Sequence, residues 1–286
     1  MIGLRVLRGF RWVLRMAGAL AFLVFACKFL YTLRPLGPLP ETANHIREHA
    51  AQDWGRIADQ GSGCMLVNNV WNRRGAGRGF QQDVFLAEAG ASTILGWRWR
   101  APWQLLAHVV SQPQIVCGDK PWDEPVGHFG GFPFHVGSKR LVVDLDARLR
   151  GIGTYNMAFT MWAVSGLPVG REHISHEIMI WNANHGQSPA GQRAGSIEVG
   201  GVFYDLYVEH GHGDASGASA QRWTYVAFVS RTPVLKGQLD LGVFLDHLLG
   251  LGLLSQNHLV TSLELGNEVC EGTGMAELRH FAVSIR

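Results

Sequence analysis

Two glutamates stand in sequence contexts that could do chemistry: Glu177 in His-Glu-Ile-Met-Ile-Trp (176–181) and Glu268 in Leu-Glu-Leu-Gly-Asn-Glu (263–268). Side chains alternate faces along an extended strand, so Glu177, Met179 and Trp181 share one surface while Ile178 and Ile180 pack the other. The same period puts Glu264, Gly266 and Glu268 together, opposite Leu263 and Leu265. Paired carboxyl groups flanking a bond are what glycoside hydrolysis needs. One protonates the leaving oxygen, and the other attacks the anomeric carbon or activates water against it. Paired acids also occur in structural ion-pair networks, so spacing alone leaves both readings open.

Residues from about 54 to the C-terminus decide between them. Glu177-Ile-Met-Ile-Trp181 is similar to the Glu-Leu-Met-Ile-Trp nucleophile strand of glycoside hydrolase family 12, the small β-jelly-roll endoglucanases and xyloglucanases. Leu265-Gly-Asn-Glu268 resembles that family's Phe-Gly-Thr-Glu acid/base strand, and the two motifs keep the family's order. Between them, Gly195 to Tyr207 looks like the family's Gly-rich hairpin, and Trp223 to Ser230 like the strand after it. Upstream, Val67-Asn-Asn-Val-Trp71 matches a Val-x-Asn-Asn-Leu-Trp stretch in which the second Asn and the Trp bind sugar, here Asn69 and Trp71.

The resemblance implies a retaining endo-acting enzyme on β-1,4-glucan, with Glu177 as nucleophile and Glu268 as general acid/base. Such a mechanism calls for carboxyl groups about 5 to 5.5 Å apart, with Glu268 protonated at rest and Glu177 ionised. Asn69, Trp71, Met179, Trp181 and Thr160 are the expected substrate-binding residues. Two positions depart from the pattern. Thr160 stands where the family usually carries an Asp hydrogen-bonded near the nucleophile; it removes a negative charge and should change how Glu177 titrates. Asn267 replaces the Thr before the acid/base, polar for polar. A xyloglucan-specific enzyme and a membrane-anchored glucan-binding protein with weakened catalysis are the alternatives, the second favoured by Thr160.

Composition fits this frame. In 286 residues, 25 Lys and Arg nearly balance 23 Asp and Glu, for a net charge of +2. No basic stripe with interleaved aromatics occurs beyond the first fifteen residues, which argues against a nucleic-acid partner. The 36 glycines and 10 tryptophans suit tight turns and flat apolar faces on which sugar rings stack; Trp97 and Trp99 are expected to serve partly as core. No phosphate-binding loop, nucleophile elbow or zinc helix is present, and no cofactor or metal is expected. His210-Gly-His-Gly-Asp214 reads as a polar turn rather than a metal site. A monomer is expected.

Strand signals recur at 64–71, 80–87, 93–100, 114–117, 141–149, 153–164, 175–182, 197–208, 222–230, 258–266 and 278–285, with one helix at 239–251. Many strands, Gly-rich turns and one late helix predict an all-β, two-sheet jelly-roll sandwich with its cleft on the concave face. Residues 1–33 read as a basic stub, Arg5, Arg8, Arg11 and Arg15, followed by a transmembrane signal-anchor, with the basic end cytoplasmic. The proline-rich stretch 34–40 opens a linker to residue 60, the hydrolase domain occupies 61–286, and the domain is expected in the periplasm or at the cell surface, or secreted if the N-terminal segment is cleaved. Four cysteines, Cys27, Cys64, Cys117 and Cys270, leave an odd number beyond the anchor, and the sequence chooses no pair among them.

Overall fold

The computed structural model describes residues 2–32, 36, 45–59, 61–90, 92–104, 107–122, 129–214, 216–217 and 219–286. Among the described residues, fifteen strands form one hydrogen-bonded network. One branch runs in the order His45–Ala50, Gln81–Ala89, Ser92–Ala101, Val269–Ile285, Leu141–Val164, Leu259–Gly266, Gln114–Gly118, Cys64–Val67, Arg56–Asp59. A second leaves Leu141–Val164 through Ile174–His185, Arg222–Ser230, Val202–Gly213 and Gln192–Val199. Pairing among these strands is antiparallel except between Arg222–Ser230 and Ile174–His185, which run parallel.

The expected two sheets are joined into one network by a single long strand. Residues 141–149 and 153–164, anticipated as separate strands, are the continuous 24-residue Leu141–Val164. Its first part pairs with Val269–Ile285, and its last part pairs with Ile174–His185 and Leu259–Gly266. Gly153 and Gly272 face each other at the hand-over, both at positive φ (109° and 102°). A Cβ on Gly153 would lie 2.3 Å from the Glu271 carbonyl oxygen, so only glycine permits this approach. Between the layers lies an apolar core that takes Ile178 and Ile180 from one side and Trp97 and Trp99 from the other, all fully buried. The alternation read from 176–181 therefore holds, and Trp97 and Trp99 are wholly core.

Other boundaries moved for local reasons. The helix is Gly242–Gly250, shorter than expected, because Lys236–Asp240 pairs as a strand with Leu141–Val164. The stretch 197–208 breaks at Gly200 and Gly201, both at positive φ, into a hairpin of Gln192–Val199 and Val202–Gly213. Within 34–60, expected as linker, His45–Ala50 pairs with Gln81–Ala89 and Arg56–Asp59 with Cys64–Val67. The proline-rich stretch lies outside the described residues apart from Leu36. Cys64 and Cys117, on neighbouring strands, form a disulfide; Cys270 is buried and free.

A helix spans Ile2–Thr32, but the expected membrane span is not found: among the described residues no helix is long and apolar enough to cross a membrane. The uncharged run Met16 to Cys27 between Arg15 and Lys28 covers about 18 Å at 1.5 Å per residue, against a hydrocarbon core of about 30 Å.

Candidate active site

Glu177 is held near the start of Ile174–His185, with Trp162 opposite it on one side and Tyr225 on the other. The parallel strand presents Trp223 and Tyr225 on the same face by its two-residue period. Trp223 Nε1 donates to Glu177 Oε2 at 2.9 Å. Trp223 is packed edge-on by Trp122 and Trp162, whose rings also meet each other, so the nucleophile candidate sits against three mutually braced indoles.

Glu268 occupies the two-residue break between Leu259–Gly266 and Val269–Ile285 rather than a continuous strand. Asn156 clamps it three ways. Glu268 N donates to Asn156 Oδ1 at 2.9 Å, Asn156 N donates to the Glu268 carbonyl at 3.1 Å, and Asn156 Nδ2 donates to Glu268 Oε2. Gln187 Nε2 donates to the same carboxyl oxygen at 3.2 Å. Asn267 turns the opposite way, into the core, where its Oδ1 accepts Trp97 Nε1 at 2.7 Å and its Nδ2 donates to the Asn156 carbonyl. The amide that replaces a threonine in the family pattern thus braces the clamp from behind.

Both glutamates open into one cleft of about 520 Å³, which Trp54, Asn69, Trp71, Gln112, Lys120, Trp122, Arg171, Trp181 and Tyr225 also line. The hairpin end around 212–216 contributes His212 and Asp214 to the wall, and His212 Nδ1 is engaged by Glu209. Of the expected substrate-binding residues, Asn69, Trp71 and Trp181 therefore face the same space as the two carboxylates. Met179 and Thr160 do not line it. Met179 is fully buried in a small cluster with Ala158, Trp181, Tyr225 and Ala227, beneath the larger rings. Thr160 is 1% exposed and stands behind Gln112, whose Nε2 donates to its Oγ1 at 3.3 Å. Glu264, grouped with Glu268 by alternation, is fully buried against Lys120, whereas Glu268 lies past the end of the strand and reaches the cleft.

Protein surrounds both carboxyls on nearly every side while leaving each a partial opening to the cleft. Burial pushes Glu177 up to about 8; the negative charge of Glu268 adds to the rise, and the Trp223 N–H opposes it. Burial likewise pushes Glu268 up to about 7, against the pull of the Asn156 and Gln187 donors. The expected contrast, with Glu268 raised and Glu177 left ionised, is replaced by two raised groups, the higher being Glu177. Two carboxyls in one poorly hydrated cleft resist double ionisation, so around neutral pH they hold about one proton between them.

Sequence reasoning missed Trp223, Asn156, Gln187, Trp122, Trp162 and Trp54. Trp223 and Tyr225 were legible as a same-face pair in 222–230. Asn156 and Gln187 carry no local signal, because their partner is distant in the chain. Trp54 lies in the stretch expected as linker; its φ of 64° is unusual for a bulky residue and marks a fixed turn at the cleft edge.

The pattern of Glycosyl hydrolase family 12 matches residues 62–286. Endoglucanase S of Pectobacterium parmentieri is 24% identical over 227 residues, covering 77% of this chain and 81% of that protein. The native family 12 xyloglucanase from Bacillus licheniformis superposes with a TM-score of 0.74 at 24% identity, over 84% of this chain and all of that one. A metagenome-derived family 12 endoglucanase gives 0.66 at 25% identity, over 84% of this chain and 97% of that one. With its family pattern running through both glutamate strands to the last residue, the chain belongs to glycoside hydrolase family 12.

Proposed function

We propose that this protein is a retaining endo-β-1,4-glucanase acting on cellulose-like β-glucans, with Glu177 as nucleophile and Glu268 as general acid/base. The observation that carries the reading is that these two carboxyls open into one tryptophan-lined cleft, each held by its own donors. Glu177 attacks the anomeric carbon while Glu268 gives its proton to the departing oxygen; Glu268 then takes a proton from the water that releases the glycosyl-enzyme. The Trp223 N–H favours the ionised form of Glu177 needed for attack. Asn156 and Gln187 orient Glu268 and steady its carboxylate after proton transfer. Trp71 and Asn69 offer a stacking face and an amide to a glucosyl unit farther along the cleft.

The named relatives include both endoglucanases and a xyloglucanase, and xyloglucan is the alternative substrate. Thr160 supports the other alternative, a glucan-binding protein with weakened catalysis. Reducing-sugar release from carboxymethyl cellulose, barley β-glucan and xyloglucan, with Glu177→Gln as the blank, tests all three. Release that vanishes in the variant supports the enzyme and ranks its substrates; binding without release supports the binder.

We also infer that the domain works outside the cytoplasm, delivered by the basic and apolar N-terminal segment. The Cys64–Cys117 disulfide supports this, because such bonds persist in oxidising compartments. Cell fractionation with an activity assay on each fraction checks it.

A further inference from the structure

Behind the two cleft carboxyls lies an ion pair that the proposed reaction does not use. Lys120 Nζ is 2.9 Å from Glu264 Oε2, with Lys120 6% exposed and Glu264 fully buried. Withdrawing two charges from water is costly, and well-packed apolar side chains often serve stability as well or better, so stability alone is a poor reason for such a pair. Its location suggests another. Lys120 lines the cleft just past Gln114–Gly118. Glu264 lies on the strand that leads to Glu268 and is directly opposite Thr160, which is in turn opposite Met179, two residues from Glu177. Thr160 is where the resemblance leads one to expect an acidic neighbour of the nucleophile.

We propose that Lys120 and Glu264 are a positioning pair that sets the charge field on Glu177, with Glu264 supplying, one strand over, the negative charge that Thr160 lacks. The inference rests on the reading of Glu177 as nucleophile. The two members act on Glu177 with opposite sign, Glu264 raising its pKa and Lys120 lowering it. The other groups lining the cleft with Glu177 are Glu268 from the strand break, Trp223 and Tyr225 from the parallel strand, Arg171, and from the hairpin Asp214 and His212, the latter engaged by Glu209.

The test is a carboxyl-carbon NMR titration of Glu177 in the substrate-free full-length protein, assigned by difference from Glu177→Gln, together with the pH profile of kcat/KM. In Glu264→Gln the Glu177 titration and the acidic limb should move down by about one pH unit, since an opposing charge has gone. In Lys120→Met they should move up, and adding Thr160→Asp to Glu264→Gln should return them toward wild type. A purely structural pair would change melting temperature without these signed shifts. A Glu177 midpoint unchanged in Glu264→Gln, or one that falls in Lys120→Met, overturns the proposal. The titration needs no substrate, so it stands apart from the glucanase assay: an inactive wild type would refute the proposed function, and unmoved titrations in an active one would refute only this inference.

Discussion

Replacing Glu177 by Gln should abolish turnover and yet stabilise the fold, by an amount that depends on pH. The Glu177 carboxyl titrates at about 8 in the folded protein, against an ordinary value of 4.5. Below pH 4.5 both folded and unfolded chains carry the proton, and the stability is whole. As pH rises the unfolded chain ionises first, so stability is lost progressively until the folded carboxyl also ionises near 8. At about 1.4 kcal/mol per pH unit this reaches about 3 kcal/mol at pH 7. The opening to the cleft lets solvent screen part of it, which leaves about 2 kcal/mol. Glutamine matches the side chain in size, accepts the Trp223 N–H through its own oxygen and never titrates. Urea unfolding followed by tryptophan fluorescence should therefore show Glu177→Gln more stable than wild type by about 2 kcal/mol near pH 7, with the difference vanishing below pH 4.5. A difference that does not change with pH, or a variant less stable at neutral pH, would refute the argument that burial governs this carboxyl.

The other expectations follow from single contacts. Trp223→Phe removes the donor at 2.9 Å from Glu177; a hydrogen bond to a charged group contributes about 1.5 to 3 kcal/mol, so kcat/KM should fall about ten- to a hundredfold and its acidic limb should move to higher pH. Asn156→Ala removes the side-chain amide whose Nδ2 donates to the Glu268 carboxyl and favours its ionised form, so the basic limb of the pH profile should rise while the rate falls; an unchanged basic limb would show that Asn156 does not act on Glu268. The bond between Cys64 and Cys117 spans 53 residues, which corresponds to about 4 kcal/mol of loop entropy, so reduction or Cys64→Ala with Cys117→Ala should lower the denaturant midpoint markedly.

The two-residue period of 176–181 determined that Ile178 and Ile180 would face the core and Glu177 and Trp181 the cleft, because a strand buried on one face cannot slip register without exposing its apolar set. The family pattern likewise pointed to the glycosidase class and to both glutamates as candidates, since the Glu-Ile-Met-Ile-Trp and Leu-Gly-Asn-Glu segments are local and long enough to be specific. Local reading failed where the outcome depends on what another segment presents. Met179 obeys the alternation and is still buried, because Trp181 and Tyr225 pack over it. Glu264 lies on the face its alternation gives it and is still buried, because Lys120 pairs with it, while Glu268 reaches the cleft from beyond the strand end at Asn267, whose amide is captured by Trp97 and the Asn156 carbonyl from elsewhere in the fold. The uncharged N-terminal run was legible, yet Arg15 and Lys28 confine it to less than a bilayer's thickness. The sequence by itself therefore determined which residue types could do the chemistry and which face of each strand they occupy. Only the tertiary structure decided their protonation, because the burial that raises Glu177 and Glu268 and the donors that oppose it come from segments distant in the chain, Trp223 lying 46 residues from Glu177 and Asn156 112 residues from Glu268.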